Sequence, residues 1–175
     1  SERERVDRLE ERYEEESRRV EEELRRLLKR YEDFHRELRK RLEDIVREVR
    51  KTLKELEDRI DEEVVRTTEK RLEDLRRDLE RRSRETEKRL KEIEDRLREE
   101  KEKSERDRER TKKLEDEIDT REIEKRVERL LEENEERLRR VRKEIKKALD
   151  ENREILKEVE DRARKILEEL RRKAK

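Results

Sequence analysis

One apolar stripe runs through this chain at a fixed step. From Leu9 through Tyr13, Ser17, Val20 and Leu24 to Ile93 and Leu97, 24 steps cover 88 residues, an average of 3.67 residues per step. That average is 11/3, the hendecad period, not the 3.5 of a heptad. It predicts long, nearly straight or slightly right-handed packed helices. Nothing interrupts the pattern in the usual way, because the chain has no Gly and no Pro.

Composition sets how thick a core such helices can share. Apolar residues are 25% of the chain, against roughly 45–50% in an ordinary globular domain. That supplies a seam between helices, about two or three positions in each seven, but not a globular interior. Ala, Glu, Lys, Arg and Leu make up 129 of the 175 residues, the signature of a coiled coil or long-helix protein. Disorder is the competing reading of 67% charge. It calls for a high net charge, whereas here 59 bases balance 59 acids and the apolar residues fall periodically.

The zero balance argues against a nucleic-acid or anionic-membrane partner, since neither sign dominates. No run of 18 apolar residues stands as a membrane span. The opening Ser-Glu-Arg-Glu-Arg has no apolar signal-peptide core. With no Cys there are no disulfides and no thiol ligands, and the compartment stays open.

Helix ends must be read from weak signs. The clearest is Ile118-Asp119-Thr120-Arg121-Glu122, where Asp119 or Thr120 can cap a new helix and Glu122 completes a capping-box spacing. A second is Val64-Val65-Arg66-Thr67-Thr68, four β-branched residues in five, which lowers helix propensity. Against it, the phase Leu42, Leu53, Val64, Leu75 passes through unshifted. The expectation is a single elongated all-α domain over 1–175. Its helices lie near 3–65, 68–118 and 121–174, in a coiled-coil-like up-down-up bundle. The alternatives are one helix to Ile118 with 121–174 folded back, or extended chains that assemble into a homo-oligomer.

Adjacent apolar pairs widen the stripe at Leu27/Leu28, Ile45/Val46, Leu130/Leu131, Ile155/Leu156 and Ile166/Leu167, and a wider face touches more than one neighbour. From Arg98 to Lys113 no apolar residue occurs at all, and Ser104 and Thr111 take the inward positions. That stretch reads as a solvated helix held by i, i+4 acid–base pairs.

No residue pattern points to catalysis. Carboxylate pairs are diluted by Lys and Arg on all sides, so burial cannot part their pKa values. A di-iron bundle needs two Glu-x-x-His motifs, and only Glu32-x-x-His35 exists. His35, beside Phe34 and near Tyr31 and Leu38, reads as a histidine packing at the seam boundary. There is no Gly-rich phosphate loop, and two Tyr and one Phe cannot stack bases. Neither a catalytic, a cofactor-binding nor a metal site is expected, and no small-molecule substrate. Five polar residues stand on the stripe itself: Ser17, Ser83, Thr86, Asn134 and Asn152. A buried Asn lowers stability but fixes register, because slippage leaves its amide unsatisfied. These five are the expected seam positions that specify alignment.

Surfaces such as Arg18-Arg19-Val20-Glu21-Glu22-Glu23-Leu24-Arg25-Arg26-Leu27-Leu28, the connection Ile118-Asp119-Thr120-Arg121-Glu122-Ile123 and polar residues set singly into the stripe resemble computationally designed, de novo helical bundles and coiled coils. The resemblance implies a structural scaffold or self-associating bundle with no biochemical activity, whose partner is itself. A rod or spacer coiled coil, or a module that pairs with another amphipathic helix, is the alternative.

Overall fold

The computed structural model describes residues 2–174; Ser1 and Lys175 lie outside the described residues. It is all-α, with α1 at Glu2–Glu55, α2 at Glu62–Lys113 and α3 at Thr120–Lys173, and a 3-10 turn at Glu57–Arg59. Helix formers fill the surfaces, and i, i+4 pairs such as Arg12–Glu16 at 3.2 Å add local support, about 0.2–0.5 kcal/mol each.

The first break falls at 56–61, not at 66–68. Asp61 is the reason: its Oδ1 accepts from the Val64 N–H at 3.0 Å, and its carbonyl takes the Val65 N–H at 3.2 Å. An Asp in that position satisfies an otherwise orphaned donor. Glu62 and Glu63 then sit at the positive end of the helix dipole. The β-branched cluster is accommodated inside α2 instead. Thr67 donates its hydroxyl to the Glu63 carbonyl at 2.9 Å, and so bonds its own helix rather than capping a new one. The stripe keeps its phase across the break because the connection carries its own anchors. Leu56 and Ile60 in the connection, and Val64 in the first turn of α2, all pack against one apolar cluster.

The second connection begins earlier than the expected residue 118. The backbone tightens after Lys113, where the Leu114 N–H reaches the Arg110 and Thr111 carbonyls, each at 3.2 Å, and Glu115 N–H bonds Lys112 at 3.3 Å. This turn lets Ile118 pack on the cluster that holds Val6, Tyr13 and Ile123. The start of α3 is close to its expected place: the Asp119 carbonyl accepts from Glu122 N–H at 2.9 Å and Ile123 N–H at 3.2 Å. No described residue takes a positive φ, so neither connection requires glycine.

The chain groups into two compact units. The first contains 1–29 and 89–146. Within it α1 and α2 run antiparallel, tied by Glu14–Arg108 at 2.6 Å and Glu21–Lys101 at 2.9 Å. Here α3 runs parallel to α1 and antiparallel to α2, through Glu23–Arg142 at 2.6 Å, Arg96–Glu144 at 2.6 Å and Glu100–Arg140 at 3.3 Å. One buried cluster in it is built from Val6, Tyr13, Ile123, Val127, Leu130 and Leu131.

The second unit contains 30–88 and 147–175. Its helix directions are the same, shown by Arg39–Glu87 between α1 and α2, Arg41–Glu160 at 3.0 Å between α1 and α3, and Arg82–Glu158 at 2.5 Å and Asp78–Arg162 at 2.7 Å between α2 and α3. Its core includes Leu38, Ile45, Val49, Leu75, Leu79, Val159 and Leu170. Fully burying one such side chain stabilises by about 1.5–3 kcal/mol. In each unit the α2–α3 ion pairs keep one register, since the two residue numbers of every pair named here add to 240. Among the described residues no large apolar side chain is left exposed.

Candidate functional site: two buried polar layers

Thin apolar seams leave room for polar residues to reach the interior, and each unit contains one such layer. In the first unit, α1 contributes Tyr13 and Ser17, α2 contributes Ser104, and α3 contributes Asn134. The Tyr13 hydroxyl and Ser104 Oγ share a hydrogen bond. Asn134, 2% exposed, donates from Nδ2 to Ser17 Oγ at 2.9 Å. Arg108 lies over the Tyr13 ring, 5.3 Å from its centroid, close enough for a cation–π contact. The hydrogen bond from Arg108, and then its charge, hold the Glu14 carboxyl below the ordinary carboxylate range.

The apolar-free stretch of α2 is therefore not uniformly solvated. Ser104 and Thr111 are buried, and Thr111 satisfies its hydroxyl on the Asp107 carbonyl at 2.9 Å.

In the second unit, α1 contributes Tyr31 and His35, α2 contributes Ser83 and Thr86, and α3 contributes Asn152. The Tyr31 hydroxyl donates to the Thr86 carbonyl at 3.3 Å. Thr86 is only half-buried, and its hydroxyl donates to the Arg82 carbonyl of its own helix at 2.8 Å. His35 is buried, and its Nε2 lies 3.0 Å from Ser83 Oγ and 3.1 Å from Glu87 Oε1. Arg39 Nε also donates to Ser83 Oγ, at 3.3 Å. Asn152 is 0% exposed, yet neither its Nδ2 nor its Oδ1 has a hydrogen-bond partner, and His35 Nδ1 has none either.

The Ser83–His35–Glu87 grouping has the residue types of a nucleophilic triad but not its wiring. In such a triad the acid bonds the ring nitrogen opposite the serine and orients the imidazole. Here Ser83 and Glu87 address the same nitrogen. The carboxylate competes with the serine, and the orienting position on Nδ1 is empty. Ser83, 4% exposed, is also closed to a substrate.

Of the five expected seam residues, the structure joins Ser17 to Asn134, ties Ser83 to His35, turns Thr86 back onto its own helix and buries Asn152 without a partner. Arg137, not among the expected seam positions, is 6% exposed with Nε unpartnered. The signal was present: Asn134, Arg137 and Val141 step through the seam at helical spacing, while Leu138 beside Arg137 is only half-buried. Its charge hid it, because an arginine is seldom fully buried unless paired.

A further pair of acids meets at the edge of the first unit. Burial, and then the Glu115 carboxyl beside it, push the Glu10 carboxyl up to about 7, against the opposing pull of Arg108 and Lys112. In the second unit, burial works to raise the Asp78 carboxyl, but Arg162, Arg82 and Arg81 together hold it below its ordinary value. Among the described residues no group of three or more His, Cys, Asp or Glu is placed to hold a metal ion. No described helix is long and apolar enough to cross a membrane. Compared with protein-family models, with curated proteins and with solved structures, the chain finds no match.

Proposed function

We propose that this chain is a structural scaffold: a self-contained bundle of long helices, coiled-coil-like in its packing, with polar layers that fix register. The observation that carries this reading is the repeat between those layers. Tyr31, His35 and Asn152 stand 18 residues after Tyr13, Ser17 and Asn134, and Thr86 stands 18 before Ser104. Eighteen residues are five turns of an ideal helix. A pattern of 3.6 lies between the heptad, which winds left-handed, and the hendecad, which winds slightly right-handed. It supports nearly straight helices. The 11/3 average over the whole stripe was counted through the connection at 56–61, so the 18-residue repeat within helices is the better measure of how they pack.

The resemblance to designed bundles supports the same reading, as does the shared α2–α3 register. Among the described residues no large apolar side chain is exposed, so no open stripe favours a module waiting for a foreign helix. Light scattering tests the proposal. A self-contained bundle keeps the chain mass of 22.3 kDa at every concentration. A mass that climbs with concentration transfers the seam to an intermolecular interface and overturns it.

A further inference from the structure

A cavity of about 360 Å³ lies in the first unit beside the polar layer. It opens where the apolar-free stretch of α2 meets α1 and α3, and Arg137 is among its walls. We propose that this cavity binds a small, doubly charged oxyanion of the phosphate or sulfate type, with Arg137 as its principal ligand.

The charges around the cavity set up the case. Four cations line it, Arg18, Lys101, Arg108 and Arg137, against Glu14, Glu21 and Glu105. Two of the acids are already committed: Glu14 to Arg108 at 2.6 Å and Glu21 to Lys101 at 2.9 Å. Arg18 and Glu105 are exposed and solvated. Arg137 is the exception, a residue 6% exposed whose Nε is buried with no hydrogen-bond partner. A buried charge without a counter-charge is strongly disfavoured. A water molecule would satisfy one N–H, but none of the three wall carboxylates pairs with Arg137, and the cations outnumber them. An oxyanion answers both needs, and the flat fork of arginine suits phosphate and sulfate oxygens.

The neutral groups agree with this assignment. Ser17 Oγ accepts from Asn134, which leaves its own O–H free to donate. Tyr13 and Ser104 share one hydrogen bond, so one of their two hydroxyl protons remains free. A hydroxyl has one proton and two lone pairs. The wall around Arg137 therefore offers donors, which an anion accepts from. Lys101 lies close enough to Arg137 for each charge to act on the other, and a second negative charge on the ligand offsets that repulsion.

The site stands apart from the scaffold reading, which needs no ligand. Titration calorimetry of the whole chain with inorganic phosphate tests it, with sodium chloride used to hold ionic strength constant. The expected result is saturable binding at one anion per chain. Arg137→Met should lose at least tenfold in affinity while keeping its helical circular dichroism, because Met fills the space without the charge. Lys101→Met keeps Arg137 and should lose several-fold, which secures the test if the first variant does not fold. Acetate, carrying one charge, should bind more weakly than phosphate. No saturable heat from the folded chain, undiminished phosphate binding in both variants, or acetate binding as tightly as phosphate would each overturn the proposal.

Discussion

Replacing Asn152 with Leu should raise stability, and replacing Asn134 with Leu should not. The two residues occupy equivalent places on α3, 18 residues apart, and both are closed to solvent. Their hydrogen bonding separates them. Asn134 donates to Ser17 at 2.9 Å, whereas both polar atoms of Asn152 are buried with no partner. An unsatisfied buried polar group costs about 1–3 kcal/mol. Leu has the same branched four-atom side chain, so it removes that cost without a large change of shape.

Asn152→Leu should therefore gain on the order of 2 kcal/mol, which for a chain of this length is roughly 4–8 °C in melting temperature. Asn134→Leu forgoes one satisfied hydrogen bond, worth about 1 kcal/mol net, and recovers a similar amount from apolar burial. It should stay within about 1 kcal/mol of the parent. Urea midpoints followed by circular dichroism at 222 nm give both values. The double variant, followed by light scattering, then reads the register role: loss of the polar layers should broaden a single species into a mixture. If Asn152→Leu is neutral or destabilising, its amide is satisfied within the fold and the reasoning fails.

Two more outcomes follow from burial and charge. Glu10 has its carboxyl raised from 4.5 to about 7 in the fold, so the stability it contributes is full below about pH 4.5 and is lost as pH rises through 7. Glu10→Gln is neutral at every pH, and should gain on the order of 1 kcal/mol at pH 8 after solvent screening of this half-buried group is discounted. It should gain nothing at pH 4, and equal urea midpoint shifts at the two pH values would refute the cause. Ile145→Asp places a charge at a position 1% exposed and should remove about 4 kcal/mol or more. Glu99→Ala on the exposed surface should change stability by less than about 0.5 kcal/mol, and comparable losses at both sites would mean the buried face is misassigned.

The seam was legible in the sequence because helical spacing keeps the stripe on the face that packs, although members such as Leu27, Phe34 and Leu90 are only half-buried. Val20, Leu24, Ile45, Val49, Leu72, Leu75 and Ile93 lie on the stripe and are all buried. The helix ends were less legible for a physical reason. In place of glycine, the break at 56–61 relies on one Asp cap and on apolar residues anchored in phase, so the stripe carries straight over it. Asp61 followed by Glu62 and Glu63 is the available signal, set against the β-branched cluster that begins three residues on.

The polar layers show where a periodicity argument stops. It places Ser17, Ser83, Asn134 and Asn152 at the seam, but it cannot say which helix each one meets, and the meeting partner decides the energetics. Asn134 finds Ser17, while Asn152, one repeat along, stands near the same kind of position without a partner, because His35 replaces Ser17 there and turns its Nε2 toward Ser83 and Glu87 on α2. A histidine's length carries its polar atom past the α1–α3 contact that a serine makes. One substitution in the repeat thus separates a satisfied layer from one with an unpartnered amide, and Ser17→His in the first unit should leave Asn134 as isolated as Asn152. That should lower the urea midpoint by the cost of a buried unsatisfied amide, about 1–3 kcal/mol; an unchanged midpoint would show that the histidine reaches Asn134.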